Sequence, residues 1–123
     1  LSGGERQRVQ FCRALIQIAR NKSSTEPRYL ILDEPTSSLD LYHVVKLTKI
    51  IKRVRAENVG VLVVLHDLNL TAYIADSVFL LKDGEVAGAG TPNDILTETL
   101  LSEVYRTPVR VEHRDDRPFI FSY

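Results

Sequence analysis

The sequence predicts an α/β fold, a mostly parallel sheet flanked by helices with a small antiparallel appendage at the C-terminal end. Three observations carry this. Two apolar runs, at 29–32 and 59–65, are separated by one helix-length amphipathic stretch, the strand–helix–strand alternation of a parallel sheet. The second run is β-branched (Val59, Val61, Val63, Val64), as in a central parallel strand. Further on, Asp83-Gly84 stands between two short apolar segments and marks a hairpin.

Composition bounds the reading. At 123 residues the chain is one domain or part of one. Hydrophobic residues at 44% and charged residues at 26% are ordinary for a soluble globular protein. Lys+Arg and Asp+Glu both number 16, so no net field argues for nucleic acid or anionic lipid as an obligatory partner. The single cysteine, Cys12, excludes an internal disulfide and fits a reducing compartment. The longest apolar run is broken at Gly60 and is far too short to cross a bilayer.

Taken in order, Ser2 with Glu5 three residues later forms a capping-box pattern ahead of an amphipathic helix that runs to Arg20. Val9, Cys12, Leu15, Ile16 and Ala19 recur at helical spacing as its narrow buried face. Gly3 and Gly4 leave the first backbone N–H groups uncovered at the positive end of the helix, which suits an anion, although an ordinary capped surface helix reads the same way. Residues 21–28 are a polar loop. The strand 29–34 ends in Asp33-Glu34, and Pro35 stops its ladder. On an extended strand two adjacent acids point to opposite sides, so they can hold different jobs, such as metal ligand and water-activating base. The alternative is a buried strand that ends in solvated acids.

A second helix, Leu41–Ala56, has Val44, Leu47, Ile51 and Val54 as its buried stripe and Lys46, Lys49, Lys52, Arg53 and Arg55 mostly outside. The strand at 59–65 ends in His66-Asp67, again at a C-terminal edge, with Asp67 expected to cap the turn into a short helix at 69–75. Segments 77–81 and 85–89 form the Asp83-Gly84 hairpin. Thr91-Pro92 starts a helix with proline at its first position, and 97–106 is another short helix. Segments 109–112 and 119–122 form a last hairpin around a charged turn. His43 and His113 are expected to be surface residues, and Cys12 a packing residue.

In this order and spacing, Leu1-Ser2-Gly3-Gly4-Glu5, Leu32-Asp33-Glu34-Pro35, Ser38-Leu39-Asp40 and His66 resemble the ATP-binding subunits of ABC transporters across residues 1–123. The resemblance implies a partial nucleotide-binding domain over 1–123, from signature motif to C-terminus of a P-loop NTPase fold. It implies ATP and Mg²⁺ as cofactors. Ser2, Gly3 and Gly4 match the signature that reaches the γ-phosphate of ATP held by a partner subunit. Asp33 matches the Mg²⁺ acid, Glu34 the general base, Asp40 the acid of the loop coupling the two sites, and His66 the switch histidine that contacts the γ-phosphate. Glu5 stands where many members have Gln. Implied partners are a second ATPase subunit, transmembrane permease subunits and, indirectly, a periplasmic binding protein, with no nucleic acid. The implied place is the cytoplasmic face of a bacterial inner membrane, peripherally.

The phosphate-cradling loop G-x-x-x-x-G-K-[ST] is not in the sequence, since the only Lys-Ser pair, Lys22-Ser23, has Ile16 and Asn21 where glycines belong. The chain opens with Leu1 inside the signature, so a processed, split or truncated chain is expected, inactive by itself. Val64-Leu65-His66-Asp67-Leu68-Asn69 resembles importers of the iron-siderophore, cobalamin and haem group. Leu39-Asp40-Leu41-Tyr42-His43 and Leu100-Leu101-Ser102-Glu103-Val104-Tyr105 look closest to hemin-import ATPases. A soluble ABC ATPase outside transport is the rival; the sequence shows neither a second cassette nor a coiled-coil insertion.

Overall fold

The computed structural model describes residues 2–20 and 25–122. Leu1 of the opening motif, residues 21–24 of the expected loop and the Lys22-Ser23 pair lie outside the described residues. The chain divides into two compact units, Leu1–His66 and Asp67–Tyr123.

The first unit holds α1 (Gly3–Arg20), β1 (Arg28–Asp33), α2 (Leu41–Ala56) and β2 (Val59–Val64). The strands pair in parallel, Arg28 opposite Val59 and Asp33 opposite Val64, so both end at one edge. Parallel neighbours need a crossover, and α2 supplies it. Leu30 and Leu32 on β1, Val59 on β2, and Leu47, Thr48 and Ile51 on α2 are buried, close to the stripe that the helical period of α2 predicts. The Thr48 hydroxyl is satisfied inside its own helix, donating to the Val44 carbonyl at 2.8 Å. Arg28 ties the far end together by donating to the carbonyls of Ile18 (3.3 Å) and Glu57 (2.9 Å), near the C-termini of the two helices.

Two expectations change here. The strands alternate instead of being covered on both sides: Tyr29, Ile31, Leu62 and Val64 are exposed on the second face. The face of α1 also differs. Val9, Cys12, Ile16 and Ala19 are exposed and only Leu15 of that set is half-buried. The helix rests instead on Gln7, Phe11, Ala14, Leu15 and Ile18, a stripe rotated around the axis, and no residue of α1 is fully buried. Apolar residues lie on both stripes, so the period alone does not say which one meets β1.

The second unit is built from α3 (Leu68–Ile74), the hairpin β3 (Val78–Lys82) and β4 (Glu85–Gly90), the short α4 (Pro92–Ile95), α5 (Glu98–Tyr105) and the hairpin β5 (Val109–Arg114) and β6 (Arg117–Ser122). Both hairpins are antiparallel. Asp83 (φ 51°) and Gly84 (φ 78°) turn the first through two left-handed residues, the geometry that Asp-Gly favours. The second turns through Asp115 (φ 50°) and Asp116 (φ 60°), so its strands run longer than the sequence suggests. Asp67 caps α3 by accepting from the Leu70 N–H at 2.9 Å, and Thr91 and Asp94 form a reciprocal capping box around Pro92. Ala72, Val78, Leu80, Ile95, Leu96, Leu101, Val109 and Ile120 form this unit's core. Asn69 joins α3 to β6, donating to the Ile120 carbonyl (3.0 Å) and accepting from its N–H (2.7 Å). The fold is thus α/β, with parallel pairing in β1–β2 and antiparallel pairing in the later strands.

Candidate functional site

Every residue singled out from the sequence, Ser2, Gly3, Gly4, Asp33, Glu34, Asp40 and His66, falls within the first unit. Asp33 is the last residue of β1, exposed, opposite Val64 at the end of β2. Glu34 does not continue the strand. Its N–H donates to the Val64 carbonyl at 3.0 Å, but its φ is 45°, in the left-handed region that costs an L residue on the order of 1 kcal/mol. The two acids therefore part because the backbone breaks between them, and not through the alternation of an extended strand.

Two neighbours hold this break. Nε2 of Gln7, on α1, donates to the Glu34 carbonyl (3.1 Å) and to the Ser37 hydroxyl (2.9 Å). The Ser37 N–H donates to the same carbonyl at 3.2 Å. Gln7 was not among the residues that sequence reasoning selects, because its partners are 27 and 30 residues away and no local pattern announces them.

His66 follows the end of β2, and its Nε2 lies 2.5 Å from Glu34 Oε1. Against an ionised carboxylate, which only accepts, Nε2 would be the donor of this contact. The side chains are 81% (His66) and 41% (Glu34) exposed, so water reaches the pair from solvent. The folding of two parallel strands to a common edge brings these residues together across 32 positions of sequence.

At the start of α1 the capping box is formed: the Ser2 N–H donates to Glu5 Oε2 (2.9 Å) and the Glu5 N–H to Ser2 Oγ (3.2 Å). Gly4 has a second reason to be glycine. A Cβ there would stand 2.7 Å from the Ser38 carbonyl oxygen, whereas one on Gly3 would meet only Ser38 Oγ at 3.6 Å. The first turn of α1 thus lies against the segment that leads into Asp40. Among the described residues no hydrogen bond joins Ser2, Gly3 or Gly4 to Glu34 or His66.

Asp40 is the N-cap of α2. Its Oδ1 accepts from the His43 N–H (2.9 Å) and lies 2.7 Å from His43 Nδ1. These bonds, the backbone one foremost, hold its carboxyl below the usual aspartate range, with a smaller attraction from Arg8. His43, expected at the surface, is drawn into these contacts. It is half-buried, bound to Asp40 and edge-on to Tyr42 with ring centroids 5.2 Å apart. The Asp-x-x-His spacing over a helix start was the signal available for it. His113 is exposed on β5, as expected. Phe11, Cys12, Leu39, His43 and Leu47 line a groove of about 150 Å³ beside α1 and α2.

Among the described residues no group of three or more His, Cys, Asp or Glu side chains is placed to hold a metal. Mg²⁺ is commonly held by one or two carboxylates with waters and phosphate oxygens. Asp33, a lone exposed carboxylate at the strand edge, fits that chemistry. No helix among the described residues is long and apolar enough to cross a membrane.

No family model matches the chain. It is 43% identical over 122 residues to the hemin import ATP-binding protein HmuV of Rhizobium meliloti, covering 98% of this chain and 47% of that protein. It is 48% identical over 111 residues to HmuV of Ruegeria sp., covering 90% of this chain and 43% of that protein. Among solved structures, a metal-chelate type ABC transporter in an inward-facing conformation matches with a TM-score of 0.69 at 29% identity, over 98% of this chain and 45% of that one. The chain spans about half the length of the curated relatives it matches. On sequence and fold alike, the chain is similar to part of the ATP-binding subunits of ABC transporters.

Proposed function

We propose that the protein to which these residues belong hydrolyses ATP as a dimer and couples hydrolysis to import of hemin or a related iron chelate. The observation that carries this reading is the 2.5 Å contact of His66 with Glu34 at the shared edge of β1 and β2, beside Asp33. The likeness to hemin import ATP-binding proteins supports the cargo.

In this reading Glu34 accepts a proton from the attacking water. The His66 N–H fixes the orientation of that carboxylate and turns to the γ-phosphate when ATP is present. Asp33 would hold Mg²⁺, which when bound supplies charge neutralisation on the phosphate oxygens. Ser2, Gly3 and Gly4 present the donors of a helix start to the γ-phosphate of ATP held by the partner subunit. Asp40 couples the two sites. The protein acts with transmembrane permease subunits and a periplasmic binding protein, peripherally, on the cytoplasmic face of the inner membrane. Residues 1–123 contain the base and the signature without G-x-x-x-x-G-K-[ST], so by themselves they bind ATP weakly and do not turn it over.

The test is uptake of hemin into vesicles carrying the full-length ATPase with its permease, with and without ATP. ATP-dependent uptake supports the proposal. ATP hydrolysis without hemin uptake removes the cargo, and no hydrolysis removes the enzyme.

A further inference from the structure

We propose that Gln7 is a positioning residue: its side-chain amide fixes the Glu34 peptide and ties the start of α1 to the hydrolytic base. The proposal rests on the reading of Glu34 as that base.

Three features of the same contact support it. Glu34 sits at φ 45°, a conformation that an L residue keeps only when its surroundings impose it. Both acceptors that Gln7 Nε2 reaches, the Glu34 carbonyl and the Ser37 hydroxyl, belong to the turn that begins at Glu34. The other end of the same amide, Oε1, is buried with no hydrogen-bond partner among the described residues. An orphaned acceptor is unfavourable, and an apolar side chain of the same length would pack without it. The position is therefore explained by what Nε2 donates, not by volume. A flipped amide would point its oxygen at the Glu34 carbonyl and lose that donor, which sets the assignment of the two ends.

The connection runs along α1. Gln7 lies one turn beyond Gly3 and Gly4, whose backbone packs so closely on Ser38 that no Cβ fits at Gly4. The first two turns of the helix thus grip the 34–38 turn at two points, one by close backbone approach and one by hydrogen bonds. A shift of the α1 start, such as a phosphate at Ser2–Gly4 would favour, is carried to the Glu34 peptide through a rigid helix. Gln7 touches neither water nor phosphate in this role. It acts by holding the peptide from which the base projects.

The experiment is steady-state ATP hydrolysis by the full-length protein with Gln7→Met, which keeps length and removes the donors, and with Gln7→His, whose Nε2 offers a donor at a similar reach. Gln10→Met, at an exposed position of the same helix, is the control. For Gln7→Met we expect kcat to fall roughly 10- to 100-fold with KM for ATP changed less than about twofold, as for a misplaced catalytic group. Gln7→His should recover part of kcat, with all variants melting near the wild type. Unchanged kcat in Gln7→Met overturns the proposal. So does loss of kcat together with ATP affinity and melting temperature, which would make Gln7 a packing residue. Glu34→Gln, measured alongside, separates the two ideas: if it turns over normally, the base assignment is wrong and the Gln7 proposal goes with it.

Discussion

Nε2 of His66 meets Oε1 of Glu34 at 2.5 Å, joining residues 32 positions apart at the ends of two parallel strands. The contact needs both the β1–β2 register and the left-handed backbone at Glu34. The parallel ladder ends at Asp33 opposite Val64, and the Glu34 N–H still donates to Val64 beyond it. Removing the imidazole by His66→Ala should leave folding intact, since the ring is 81% exposed, while slowing hydrolysis in the full-length protein. A melting temperature that falls with the rate would assign the ring to structure instead.

Gly3 and Gly4 should respond oppositely to alanine. A Cβ at Gly3 has room, and alanine favours a helix over glycine by roughly 0.5–1 kcal/mol, so Gly3→Ala should be neutral to stabilising. At Gly4 the added carbon stands 2.7 Å from the Ser38 carbonyl oxygen, and overpacking of that kind costs about 1–3 kcal/mol. Urea unfolding of the two variants checks the difference in sign.

The Asp40 carboxyl is held below its usual value of 3.8 by His43. A lowered folded-state pKa contributes stability that is present above the unfolded value and is lost as pH falls through the folded one. The stability gap between wild type and Asp40→Asn should therefore be level from pH 5 upward and close below about pH 3.8. His43→Ala should move the Asp40 titration, followed by NMR, back toward the ordinary range. A gap that widens in acid contradicts the assignment.

The second hairpin turns through Asp115 and Asp116, both with positive φ. Asp116→Gly relieves the second left-handed residue and should raise stability by a few tenths to about 1 kcal/mol. The Asn93 bond to the residue 116 carbonyl survives, because it uses backbone. In contrast, Leu101→Ala empties a fully buried site and should cost about 2–5 kcal/mol by chemical denaturation.

Much of this was legible in the sequence where the determining chemistry is local. The Asp83-Gly84 turn, the Asp67 cap, the Thr91-Pro92 helix start and the stripe of α2 each depend on residues within a few positions. The contacts of Gln7 with Glu34 and Ser37 could not be read, because they form between segments 27 and 30 residues apart. The buried face of α1 is hidden from the sequence for a related reason: Val9, Cys12 and Ile16 are apolar like Phe11, Ala14 and Ile18, and only the placement of β1 chooses between the two stripes. Taken singly, His43 reads as a surface residue; its role shows only beside Asp40, three residues before it. The motifs named the acids at 33 and 34, but the left-handed residue that separates them is a property of the folded turn.

The central claim, that Glu34 is the hydrolytic base of an ATPase, meets its most direct test in the Glu34→Gln variant of the full-length protein. The amide keeps the shape and cannot accept the proton. The account predicts that the variant still binds ATP and assembles the closed dimer, seen as a shift in size on gel filtration, while phosphate release falls to background. Phosphate release at the wild-type rate would contradict it.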